Sequence, residues 1–136
     1  MNLVKDRGCF VCGEDNPEGF HLRVERDGEK GVKAEFLAKE IYRGWSRYLH
    51  GGVIGLIFDE MLGWTSYSLG YDSLTAKLEV KYRKPVPIGS KVIFRGRLEK
   101  EEKGFLFIRT EARLPDGTLA AEGWGMMKVI KRKSVL

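Results

Sequence analysis

The chain has 136 residues, of which 43% are hydrophobic and 32% are charged. This length supports one domain with a single hydrophobic core, and the composition is that of a folded globular protein rather than a disordered or membrane protein. A net charge of +5 suits a phosphate-bearing ligand or simply solubility. Nucleic-acid binding is not expected, because no basic stripe interleaved with aromatic residues and no zinc-finger or ribonucleoprotein motif accompanies that charge. The first residues lack the apolar segment of a signal peptide, so a cytoplasmic protein is expected.

Residues 1–19 are rich in turn-forming residues and predict an irregular lead-in. Cys9 and Cys12 have the spacing of half a zinc site, with His21 as a possible third ligand. A structural zinc site usually has four ligands, and the chain holds only two cysteines and two histidines. We therefore expect no metal and favour reduced or structural cysteines, with a redox pair as the alternative.

Period-two alternation predicts strands on both sides of a central apolar segment. A hairpin is predicted over residues 20–38, with its turn at Asp27 and Gly28. After Gly70, alternation places Ala76, Leu78, Val80 and Tyr82 on one face of a strand, and further strands are predicted over 91–100, 105–114 and 118–130. Residues 131–136 read as a solvated basic tail.

The central segment, from His50 to Leu69, predicts a long helix that is apolar almost all round. Such a helix belongs inside a core, so Asp59 and Glu60 would lie where charge is penalised, which makes them functional candidates. The two acids and four glycines argue against a membrane span. In the loop before the helix, Trp45 and Tyr48 could either plug the core or line a ligand channel.

Two strands, one helix and about four further strands with short connections indicate an α+β fold. We predict a single domain over residues 1–136, in which a curved antiparallel sheet of five to six strands wraps one long central helix.

His50, Gly51 and Gly52 open the helix, where first-turn N–H groups lack partners inside the helix and point outward. Such donors can hold an oxyanion, and the carboxylate of Asp59 could activate water or attack as a nucleophile. The competing interpretation is structural: a capping histidine, glycines that permit close packing, and a hydrogen-bonded aspartate. The residues alone leave both open.

Helix geometry constrains the catalytic interpretation. Gly52 and Asp59 lie on nearly the same meridian of the helix but roughly 10 Å apart along its axis, whereas reacting groups must converge to about 3 Å from one carbon. If both residues act, they come from two subunits related by a twofold axis, which predicts a homodimer. Glu60 lies about 100° around the helix from Asp59 and is the alternative base.

Three stretches carry a resemblance: CFVCGEDNPEGFHL, YRGWSRYLHGGVIGLIFDEMLGW and TAKLEVKYRKPVPIGSKV. Together they resemble the hotdog-fold acyl-CoA thioesterases of the phenylacetate-pathway type, from Cys9 to about Val129. The resemblance implies a dimer whose sheets join, often a dimer of dimers. It also implies hydrolysis of an acyl-CoA thioester, with the Gly52 N–H polarising the carbonyl and Asp59 of the other subunit driving attack by water.

The resemblance further implies that His50 and Gly51 contribute to substrate binding, and that CoA phosphates lie near basic side chains such as Lys81, Arg83 and Lys84. No cofactor is implied, because coenzyme A is part of the substrate. Some such enzymes carry a hydroxyl one turn after the carboxylate. This chain has Gly63 there, so any such role would fall to Thr65, to Ser66 or to neither. The alternatives are a non-catalytic acyl-CoA or metabolite-binding module and, less favoured, a dehydratase. The acyl group is not identified.

Overall fold

The computed structural model describes residue 3 and residues 5–132. Within this part of the chain, six strands and one α-helix follow in the order β1 (Val24–Arg26), β2 (Gly31–Leu37), α1 (Gly51–Ser68), β3 (Tyr71–Tyr82), β4 (Lys91–Glu102), β5 (Phe105–Arg113) and β6 (Leu119–Arg132). Two short 3-10 turns, Glu40–Tyr42 and Trp45–Arg47, precede the helix. The predicted elements are thus present in the predicted order.

The six strands form one antiparallel sheet in the order β1-β2-β4-β5-β6-β3. Strands β4, β5 and β6 follow one another as hairpins, whereas β3 pairs with β6 and so lies at an edge. Helix α1 packs against all six strands. One helix packed against a single antiparallel sheet confirms the predicted fold, and the described residues form six strands.

One face of α1 supplies the centre of the core. Its buried side chains are Ile54, Ile57, Phe58, Met61, Leu62, Thr65 and Ser66. The Phe58 ring is fully buried and meets Phe94 of β4 edge to face, with 5.7 Å between ring centroids. The opposite face of the helix is open in the single chain, where Gly52 and Asp59 are exposed. The expectation that Asp59 enters a charge-penalising core was therefore wrong for the single chain, because the sheet covers only one side of the helix.

The first strand is shorter than predicted. The alternation from Phe20 suggested a strand, but β1 begins at Val24. His21 has a left-handed backbone, with φ of 54°, which interrupts an extended chain. The N–H groups of Phe20 and Leu22 donate to carbonyls of the lead-in at 3.0 and 2.8 Å, so this stretch fastens the lead-in to the body.

Strand β3 contains a bulge. Thr75 pairs with Met127 and Lys77 with Met126, so one extra residue, Ala76, stands in β3. An inserted residue of this kind changes which side chains share a face. Before the bulge, Ser73 and Thr75 face the helix; after it, Leu78, Val80 and Tyr82 do so. The predicted inward position of Ala76 is therefore taken by Thr75.

The end of β6 departs from the predicted tail. Lys131 and Arg132 belong to β6 and pair with Asp72 and Tyr71 at the start of β3. The remaining predicted tail residues, 133–136, lie outside the described part of the chain. In the described part of the chain, no helix is both long enough and apolar enough to cross a membrane.

Candidate functional site

The helix N-terminus is built by His50. Its backbone is extended, with φ of −60° and ψ of 131°, and its ring nitrogen Nδ1 accepts a hydrogen bond of 2.8 Å from the Gly52 N–H. The ring thus caps one of the amides that have no partner inside the helix. The Gly52 amide, which was predicted to be an oxyanion donor, therefore already donates to His50 in the single chain.

Gly51 has a structural reason to lack a side chain. The Tyr82 hydroxyl of β3 donates to the Gly51 carbonyl at 2.7 Å, and a Cβ on Gly51 would lie 3.3 Å from the Tyr82 ring. Burial raises the pKa of the Tyr82 phenol, which keeps it a neutral donor. Tyr82 therefore fixes the first turn of α1 against the edge strand.

Asp59 meets a residue that the sequence argument missed. The Thr75 hydroxyl donates to Asp59 Oδ1 at 2.6 Å, across the 16 residues between helix and strand. The hydroxyl expected within the helix, at Thr65 or Ser66, does not take this role. Those two are buried and bond elsewhere, Thr65 to the Met61 carbonyl and Ser66 to a serine of β3. A threonine near the start of an edge strand gives little sequence signal, because the bulge that aims it cannot be read from alternation.

Glu60 points away from Asp59. Its Oε2 accepts a hydrogen bond of 3.0 Å from Trp64 Nε1 and lies 4.0 Å from the Cys9 sulfur. Together with Cys12, this forms a half-buried cluster on the lead-in side of the helix. Burial, followed by the neighbouring Glu60, raises the pKa of the Cys12 thiol above its ordinary value. The cluster adjoins a cavity of about 300 Å³.

His21 does not join this cluster. Its ring Nε2 lies 2.6 Å from the Asn16 carbonyl, and its side chain is exposed. The suggested third ligand is therefore not among the residues that the structure brings to the cysteines.

The three basic residues suggested for phosphate binding differ in their surroundings. Lys81 and Lys84 are exposed. Arg83 instead forms a short ion pair with the buried carboxylate of Glu122, which Arg109 also contacts at 2.9 Å. These two guanidinium groups hold the pKa of Glu122 below its ordinary value. Arg83 is thus largely neutralised, and the two lysines are the freer positive charges.

The loop before the helix presents apolar surface. Trp45 is 94% exposed and Ile41 82% exposed in the single chain, so the interpretation of Trp45 as a core plug was wrong. Ser46 and Arg47 have left-handed backbones, with φ of 54° and 62°. Two successive strained residues beside a helix N-terminus are the kind of feature that clusters at functional sites.

The sequence signature of the Thioesterase superfamily matches residues 47–121. Acyl-coenzyme A thioesterase THEM4 of Bos taurus is 29% identical over 119 residues, which are 86% of this chain and 49% of the relative. The chain thus spans about half the length of this curated relative.

Two solved structures show the fold. The PaaI protein from the phenylacetic acid degradation operon of Escherichia coli is 12% identical, with a TM-score of 0.78 over 84% of this chain and 83% of its own. A hypothetical thioesterase of Streptococcus pneumoniae, solved with coenzyme A, is 17% identical, with a TM-score of 0.78 over 83% of this chain and 91% of its own. The latter was also solved as two alanine mutants, one at an aspartate and one at a threonine 16 positions later.

These likenesses confirm the hotdog fold and the family resemblance read from the three sequence stretches. The helix that carries Gly52 and Asp59, and the edge strand that carries Thr75, both fall inside the matched region. Because the superfamily signature covers more than half of the chain, the chain belongs to the Thioesterase superfamily.

Proposed function

We propose that the protein hydrolyses an acyl-CoA thioester to a free acid and coenzyme A, with active sites shared between two subunits. The observation that carries the proposal is the exposed Asp59 carboxylate, oriented by Thr75 on the open face of a helix that belongs to a thioesterase domain. The THEM4 relative is named as an acyl-CoA thioesterase.

Asp59 serves as the general base or the nucleophile. The Thr75 hydroxyl occupies Oδ1, so Oδ2 remains to accept a proton from water or to attack the carbonyl carbon. The pneumococcal neighbour supports this pair, because its mutated aspartate and threonine have the same separation of 16 residues. In this proposal Thr75 is a positioning residue that fixes the carboxylate.

The helix N-terminus of the other subunit stabilises the oxyanion. The Gly52 N–H bonds to a neutral imidazole nitrogen in the protomer. A hydrogen bond to a developing negative charge is about twice as strong as one between neutral groups. The amide therefore shifts from His50 to the thioester oxygen as charge develops, so the interaction strengthens toward the transition state.

A second copy of the chain completes the site. Helix rise separates Gly52 from Asp59 by roughly 10 Å within one subunit. In the described chain, β3 pairs on one side only, leaving a twelve-residue edge beside the open face of α1. Such an edge is a template for pairing with another chain. Pairing of β3 with its twofold mate would join the sheets and cover Asp59; a dimer of dimers stays a prediction.

Coenzyme A phosphates lie near Lys81 and Lys84. Lys81 lies near the end of the edge strand β3, and Lys84 follows the strand by two residues. Arg83, in contrast, already neutralises the charge of Glu122. We expect Lys84→Gln to raise KM for acyl-CoA with little effect on kcat, because the lysine binds ground state and transition state alike. Cytoplasmic location likewise stays a prediction.

The first test is hydrolysis of a panel of short-chain, aromatic and long-chain acyl-CoAs by wild type and Asp59→Asn. We expect at least about a hundredfold loss of kcat in the variant, because removing a catalytic base or nucleophile typically costs that much or more. Equal rates would remove Asp59 from the mechanism.

The second test mixes inactive subunits. Gly52→Pro removes the N–H in the first helical turn, where proline is tolerated. Equal mixing of Asp59→Asn and Gly52→Pro chains, after subunit exchange, should restore about a quarter of wild-type activity, because half of the dimers then hold one intact site of two. No recovery despite proven exchange would refute the shared site.

The second candidate function is a non-catalytic acyl-CoA-binding module. The engaged Gly52 amide favours it, since a helix end already capped by His50 offers one donor fewer to a substrate. Tight binding of CoA esters by isothermal titration calorimetry, without turnover of any panel member, would establish this alternative.

A further inference from the structure

Two cysteines and a glutamate converge where the lead-in crosses the helix. Cys9, Cys12 and Glu60 each place a potential ligand atom within 4.8 Å of the others. The sulfur of Cys9 lies 4.0 Å from Glu60 Oε2. All three side chains are half-buried, and the proposed hydrolysis uses none of them.

These distances are close to those of a tetrahedral metal site. Zinc binds thiolate sulfur at about 2.3 Å and carboxylate oxygen at about 2.1 Å, which puts sulfur and oxygen roughly 3.6 Å apart in a tetrahedron. The observed 4.0 Å needs an adjustment of a few tenths of an ångström. Two thiolates with one carboxylate suit Zn²⁺, whereas Mg²⁺ and Ca²⁺ prefer oxygen ligands alone.

Surrounding groups hold the three ligands in place. The Cys12 N–H points at the Cys9 sulfur, 3.5 Å away, an arrangement that stabilises a thiolate. Trp64 Nε1 donates to Glu60 at 3.0 Å and fixes the carboxylate, as outer partners of metal ligands do. Gly13 closes the turn after Cys12, where a Cβ would collide with the Cys9 backbone at 2.4 to 2.6 Å.

We propose that Cys9, Cys12 and Glu60 bind one Zn²⁺ ion that fastens the lead-in to helix α1. Its fourth position faces the cavity of about 300 Å³ lined also by Trp64 and Tyr67, and takes water or a small anionic ligand. The site revises the expectation of no metal, because the third ligand is a carboxylate 51 residues from Cys9 and not a histidine. It also gives Glu60 a role other than base.

Cobalt substitution tests the site without reference to activity. The full chain, reduced and stripped with a chelator, is titrated with Co²⁺ while thiolate-to-cobalt charge-transfer absorption is recorded, and Zn²⁺ is then added. We expect one Co²⁺ per chain, displaced by Zn²⁺. Cys9→Ser and Cys12→Ser should lose the thiolate band, and Trp64→Phe should weaken affinity by about 10- to 100-fold.

A matched pair of carboxylate variants distinguishes ligation from general charge. Glu60→Gln should weaken Zn²⁺ binding at least about tenfold, because replacing even a residue that only hydrogen-bonds to a metal ligand lowers metal affinity by that factor. Glu14→Gln, in the same lead-in but paired with Arg7, should bind like wild type. Added Zn²⁺ should raise the Tm of wild type and not of Cys12→Ser.

The proposal is overturned if the reduced wild type shows no thiolate–cobalt band, or if folded Cys12→Ser binds as tightly as wild type. Near-ultraviolet circular dichroism of each variant establishes that it is folded. Isolation of a Cys9–Cys12 disulfide form, together with no metal uptake after its reduction, would also overturn the zinc site and assign the pair to redox chemistry.

Discussion

Replacing Thr75 with valine removes one hydroxyl and keeps the shape of the side chain. The O–H···O distance of 2.6 Å to Asp59 is in the range of charge-assisted hydrogen bonds. Such a bond contributes about 1.5–3 kcal/mol. At about 1.4 kcal/mol per factor of ten, the expected loss in kcat is roughly 10- to 150-fold once a partner subunit encloses the pair.

The assay is steady-state hydrolysis of the best acyl-CoA by Thr75→Val, Thr75→Ser and Thr110→Val. A positioning role predicts that kcat falls in Thr75→Val while KM changes little, and that Thr75→Ser recovers most of the rate because it keeps the donor. Thr110→Val is the matched control, since it makes the same exchange on β5 away from Asp59. Wild-type kcat in Thr75→Val, or no recovery in Thr75→Ser, would refute the reasoning.

Three further predictions concern stability, measured at fixed protein concentration. Thr110→Val should raise the free energy of unfolding by about 1–2 kcal/mol, because among the described residues its buried Oγ1 has no hydrogen-bond partner. A lower free energy of unfolding than that of wild type, measured by urea denaturation, would contradict this. Phe58→Ala should cost about 3–5 kcal/mol, since the ring is fully buried against Phe94, whereas Ile41→Ala, on the surface, should change stability by less than about 0.5 kcal/mol. Glu122 ionises more readily when folded, so its stabilisation is present above pH 4.5, the ordinary pKa, and is lost as the pH falls. Below pH 4.5, the ordinary pKa, the Tm of Glu122→Gln should therefore fall less steeply with falling pH than the Tm of wild type. An equal slope in the two proteins would show that this carboxylate does not contribute to the pH dependence of stability.

Much of the fold could be predicted because the helix and several strands are long enough to show a clear hydrophobic period. The helix from Gly51 to Ser68 and the strands β4 and β5 agree with the pattern to within a few residues. The pattern failed at β1, where the left-handed backbone of His21 stops an otherwise strand-like alternation. Backbone conformation at a single residue has no periodic signature.

The candidate site was predictable only in part. Capping of Gly52 follows from the histidine before a helix, and the position of Asp59 follows from helix spacing. The partners of the two acids did not follow. Thr75 reaches Asp59 through a bulge, and Glu60 meets cysteines 48 and 51 residues earlier through tertiary packing. Contacts between distant segments depend on how the lead-in and sheet pack against the helix.

The bulge at Ala76 makes β3 unequally tolerant of losing single residues. Losing Ala76 would leave Thr75 and Lys77 adjacent, opposite the adjacent residues Met127 and Met126, so Thr75 would still face the helix. Losing Glu79 instead would close the bulge only by turning Leu78 away from the helix. An in-frame deletion of one codon is therefore expected to spare the contact between Asp59 and Thr75 at the bulge and to disturb the core elsewhere in the strand.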